Sequence, residues 1–190
     1  GELPILAGHH IALAGAVATG TATAAAPHQQ PAASPAAPPR IESALLTQMN
    51  RARTERGRRP LKAIATLQRP ARGQSRYLLG LGTLDHDGPD GSPFWTRILA
   101  AGFPRGRTLG ENLAMVPGCG PEVAARTVQL WLNSPGHRAN LLNPAFRWAG
   151  AGVALGSGCS ETYVTADYGS YAARPGSSSR SRTTRMRWGC

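Results

Sequence analysis

Between residues 142 and 146 the apolar residues of this chain change their period, and that change constrains the fold more than any other feature. Upstream they recur every three to four positions. Ile41, Ala44, Leu45, Met49 and Ala52 form one stripe, stopped by Gly57 and Pro60, which predicts an amphipathic helix over 41–56. A second stripe, through Ala71, Ser75 and Leu78–Leu79, predicts a helix over about 67–80. Proline is tolerated only in a first turn, so this helix should begin near Gln68 or bend at Pro70. Gly120-Pro121-Glu122 and Ser134-Pro135 both place proline at a first helical position. The first opens a helix with Ala124, Val128 and Trp131 on one face, the second a shorter one from Pro135 to about Leu142. Downstream, Phe146, Trp148 and Val153, then Tyr163 to Tyr168, read as two strands joined by a Gly-Ser-Gly-Cys-Ser turn.

Neither end of the chain has this patterning. Ile11 to Ala26 is an uncharged run of small and apolar residues ending in Ala24-Ala25-Ala26. It reads as an export segment over 1–26 without a basic leader, or as an apolar leader with no export role, and is too short and weakly apolar for a membrane span. Residues 27–40, rich in Pro and Ala, read as an extended linker. A domain over 41–171 follows, and residues 172–190 are a low-complexity basic tail expected to be disordered. Export would permit disulfides: Cys119 and Cys159 could close a long loop, leaving Cys190 as a free thiol or an intermolecular link.

The net charge of +11 divides unevenly, with +6 on 41–171 and +5 on the tail. The folded part shows no nucleic-acid motif and the tail has no interleaved aromatics apart from Trp188, so no sequence-specific nucleic-acid partner is expected. Arg180, Arg182, Arg185 and Arg187 could hold an anionic cell-surface polymer by charge neutralisation, although a solvated tail accounts for them more simply.

Three groups could bind a metal or move a proton: His86 in the turn-rich stretch 84–92, Glu111, and His137 in the short helix. They lie 25 and 26 residues apart, so no one helix turn gathers them. If the fold does, two imidazoles and a carboxylate leave the fourth position of a zinc ion open. Ser134 lies three residues before His137 and could serve as a nucleophile. Its place before Pro135 suits a helix cap, however, and no G-x-S-x-G elbow is present. The carboxylates of Asp85, Asp87 and Asp90 suggest calcium, but their register is wrong for an EF-hand and Thr96 stands where a bidentate Glu is needed. Asn112 and Asn140 suit backbone support, and Trp131, Phe146 and Trp148 suit the core.

Four separated stretches resemble the CAP superfamily (SCP-like extracellular domains), in its bacterial branch. They are Leu46-x-x-x-Asn50-x-x-Arg53 continuing to Pro60-Leu61; His86-x-Gly88-Pro89-Asp90-Gly91-Ser92; Gly110-Glu111-Asn112-Leu113-Ala114; and Trp131-x-x-Ser134-Pro135-Gly136-His137-Arg138-Ala139-Asn140-Leu141-Leu142 with Asn143-Pro144-x-Phe146. Tyr163 to Gly169 is similar to that branch's closing strand. The resemblance implies a three-layer α-β-α sandwich, a small antiparallel sheet between helices, and a central cavity carrying two histidines and two acids. His86, Glu111 and His137 fall on three of those positions. Ser134 stands where animal and plant members have the second acid, which implies weak binding of Zn2+ or another divalent cation. The implied role is a secreted, monomeric binding module for a small or lipid-like ligand, with Asn112, Ser134 and Asn140 lining or supporting the cavity. The alternatives are a metal-assisted hydrolase, with Glu111 as general base and His137 beside it, and a tail-mediated binder of anionic polymers.

Overall fold

The computed structural model describes residues 38–105 and 107–170 and the backbone of 186–189. The expected export segment and nearly all of the linker lie outside the described residues, as do Cys190 and the four tail arginines other than the backbone of Arg187. Helices α1 (Pro38–Thr54), α2 (Ala65–Leu81), α3 (Phe94–Ala100), α4 (Glu122–Asn133) and α5 (Pro135–Leu141) surround a five-stranded sheet. The strands are β1 (Lys62–Ala63), β2 (Leu109–Pro117), β3 (Phe146–Leu155), β4 (Glu161–Ser170) and β5 (Met186–Gly189), in the order β1-β3-β4-β2-β5. The central pairs β3–β4 and β4–β2 are antiparallel; the edges β1 and β5 run parallel to their neighbours.

Alternation along the central strands sorts the core into two layers. Val164, Ala166 and Tyr168 of β4 and Ala149, Ala151 and Val153 of β3 join Ile41, Leu45 and Met49 of α1 and Val123, Val128 and Trp131 of α4. The opposite face meets α2 and α3, where Leu67 packs with Phe94, Ile98, Phe103 and Leu109, and Leu78 with Leu113, Ala154 and Tyr163. The result is the α-β-α sandwich. Helix α2 lies on the sheet almost without spacing: a Cβ on Gly150 would come within 2.1 Å of the Leu67 backbone, and one on Gly152 within 2.1 Å of the Ala71 backbone. Only glycine, on alternate positions of β3, permits that approach.

Several expectations need correcting. Helix α1 starts at Pro38, three residues inside the expected linker, because prolines fit a first turn whose N–H groups have no helical partner. Helix α2 starts at Ala65, so Pro70 lies inside it; burying Leu67 outweighs the hydrogen bond that proline removes. Pro121 stands at the N-cap and α4 begins at Glu122. The tail, expected to lack structure, supplies β5, which pairs with Leu109–Asn112 and so covers backbone groups that an edge strand would leave open. Cys119 and Cys159 are joined in a disulfide that ties the end of β2 to the β3–β4 connection.

Candidate functional site

Strand β2 organises the site because consecutive residues face opposite layers. Glu111 points toward the α2/α3 layer and Asn112 toward α5; both are fully buried. On the first side, the Glu111 carboxylate is shared between two donors. Its Oε1 lies 2.7 Å from Nδ1 of His86, and its Oε2 accepts from Nη2 of Arg97 on α3. Arg97 Nη1 also donates to the His86 carbonyl oxygen at 3.0 Å. One arginine therefore holds both the carboxylate and the loop that presents the imidazole. A carboxylate facing Nδ1 fixes the proton there and leaves the lone pair of the neutral ring on Nε2.

The loop carrying His86 is secured from beneath and within. Gln74 Nε2 of α2 donates to the carbonyls of Asp85 and Asp87 at 2.7 and 3.2 Å. Asp85 Oδ1 accepts from the Asp87 amide and Asp90 Oδ1 from the Ser92 amide, so two of the three loop carboxylates serve local turns. The Ser92 hydroxyl, and then its amide, hold the Asp90 carboxyl below the usual range.

On the other side of β2, Asn112 Nδ2 donates to the His137 carbonyl oxygen at 3.0 Å and lies 3.4 Å from the Tyr168 hydroxyl. Asn140 Nδ2 donates to the Glu111 carbonyl and to Asn112 Oδ1, at 3.0 and 3.1 Å. Two buried amides thus clamp α5 to β2, and Tyr168, stacked on Phe146 with centroids 5.4 Å apart, closes the layer beneath them. Burial raises the Tyr168 hydroxyl well above its ordinary pKa, so it stays neutral. Ser134 stands at the N-cap of α5, but its side chain makes no capping hydrogen bond. The fold therefore brings His86 and Glu111 into direct contact and ties His137 to the next residue of the same strand through its backbone.

Asp167, which the sequence offered only as part of a strand, completes the group. It pairs in register with Glu111 across β2 and β4 and is fully buried, with no donor to either carboxyl oxygen. Burial, then the charge of Glu111, push its pKa well above the carboxylate range against the opposing pull of Arg97. Asp167 is accordingly the carboxyl of the pair that burial and the neighbouring Glu111 push toward its protonated form. Arg97 was also missed, since it lies 14 residues from Glu111 with no shared motif.

Zinc through all three expected groups does not fit this arrangement. Both oxygens of Glu111 are engaged, and among the described residues no three His, Cys, Asp or Glu side chains gather closely enough to hold a metal ion. Chemically, the Glu111 cluster orients an imidazole.

Comparison with known proteins agrees with this architecture. The chain is 35% identical over 112 residues to the uncharacterized protein YkwD of Bacillus subtilis, an alignment spanning 58% of this chain but only 41% of YkwD. Its fold is similar to that of an extracellular protein of Bacillus anthracis containing an SCP domain (TM-score 0.55, 25% identity, 69% of this chain and 40% of that one). It is also similar to an outer surface protein of Borrelia burgdorferi (TM-score 0.57, 20% identity, 70% and 93%). A cysteine-rich secretory protein of Staphylococcus aureus gives a TM-score of 0.54 at 19% identity, over 70% and 39%. The profile of the Cysteine-rich secretory protein family, CAP, matches residues 46–168, most of the described domain, and the chain belongs to that family, in its bacterial branch.

Proposed function

We propose that this chain is an extracellular binding module that presents the His86 imidazole to a small or lipid-like ligand, with His137 on α5, whose backbone is tied to the same strand through Asn112. The observation that carries this reading is the double engagement of Glu111, which makes it the orienting partner of His86. That geometry favours a fixed hydrogen-bonding imidazole over a carboxylate poised to take a proton from water. Surface and extracellular relatives of the same fold support placement outside the cell.

Purified protein tests this reading against the hydrolase. An ester and peptide panel, with and without Zn2+, should show no turnover, while a fluorescent fatty-acid probe binds the parent chain and binds at least about tenfold more weakly to His86→Ala. Turnover that disappears in His137→Ala or Glu111→Gln would replace the module with an enzyme.

A further inference from the structure

The corner where α1 ends and β3 begins concentrates arginines. Arg53 is fully buried, yet faces only carbonyl oxygens: Nε donates to Arg59, Nη1 to Leu141 and Asn143, and Nη2 to Phe146, at 2.7 to 3.3 Å. These bonds pin the loop after α1 and the Asn143–Pro144 turn to one guanidinium. A pocket of about 500 Å³ opens between the same two segments. Arg58 and Arg138 line it with Asn143, over an apolar floor of Ala139, Leu142 and Pro144. Arg147 donates to the carbonyl of Pro144, which lines the pocket, and to that of Phe146. Among the described residues none of these four arginines forms an ion pair, and the neighbouring Glu55 is taken by Arg51 and Arg56. Burial lowers the Arg53 pKa, and the like charges of Arg147 and Arg58 lower it further against the pull of Tyr168, so these three guanidiniums share one positive field.

We propose that this pocket is an anion site that takes a phosphate-bearing ligand. Two guanidinium groups lining one pocket can share a tetrahedral oxyanion, Arg138 keeping its Nη1 on the Leu132 carbonyl, and the concentration of arginines suits a dianion or a run of phosphodiesters better than a lone carboxylate. The apolar floor fits the carbon portion of a phosphate ester. The site lies apart from the His86–Glu111 group and does not depend on the function proposed there.

Isothermal titration of the full chain with inorganic phosphate, glycerol 3-phosphate and a poly(glycerol phosphate) oligomer tests the site. Arg58→Gln/Arg138→Gln should weaken phosphate binding at least about tenfold, while Arg180→Gln/Arg182→Gln/Arg185→Gln/Arg187→Gln leaves it within about twofold. Binding should also weaken with added salt. Preference for the monoester assigns a soluble ligand; preference for the oligomer assigns a surface polymer. Unchanged affinity in the pocket variant, loss in the tail variant, or equal binding of acetate would overturn the proposal. Both pocket arginines are exposed, so the variant keeps its fold, which circular dichroism checks.

Discussion

Glu111 and Asp167 stand directly opposite each other on β2 and β4, two fully buried carboxyl groups in one register. Arg97 is the cation that serves them: it bonds Glu111 and draws on Asp167 only through its charge. One negative charge is therefore balanced, and the second carboxyl is pushed toward its protonated form.

That arrangement makes stability depend on pH with a definite sign. Below about pH 4 the folded and unfolded chains both protonate Asp167; between there and the raised folded pKa, only the folded chain does, because burial and Glu111 raise that value. Stability contributed by this residue is full at low pH and falls as pH rises toward the folded value. Asp167→Asn removes the titration and keeps a donor facing Glu111. Urea unfolding should show near-equal stability at pH 4 and a gain for the variant of about 1 kcal/mol or more at pH 7. A difference that is constant with pH would refute the neutral-acid assignment.

Close packing of α2 on β3 predicts opposite outcomes for two similar substitutions. In Gly152→Ala the new methyl meets the Ala71 carbonyl at 2.1 Å, and either α2 or β3 must shift. The cost should be about 3 kcal/mol or more. Gly73→Ala, within α2 and with nothing inside 4 Å of the added carbon, should stabilise by about 0.5–1 kcal/mol. Thermal melting of the two variants checks both, and similar melting temperatures would contradict the close contact.

Much of the scaffold was legible because its helices advertise themselves. Ile41, Leu45 and Met49 in α1 and Val128 and Trp131 in α4 recur with helical spacing and are all buried. The β3–β4 hairpin was likewise marked by alternation and its Gly-rich turn. Strand β2 was not legible, since Leu109 to Ala114 is buried on both faces and places Glu111 and Asn112 where alternation expects contrast. Helix α3 escaped notice because seven residues are too few to show a period. At the site, motif order marked His86, Glu111 and His137, but what Glu111 does depends on Arg97 and Asp167. Those two are joined to it only by the packing of α3 and the register of β4, which local sequence does not encode.

The central claim is that Glu111 orients His86 through Nδ1, and nitrogen-15 NMR of the imidazole measures it directly. At neutral pH His86 should carry its proton on Nδ1, and Glu111→Gln should disturb that tautomer while leaving the fold intact by circular dichroism. A ring protonated on Nε2, or one indifferent to Glu111→Gln, would contradict the account and return Glu111 to the role of an available base.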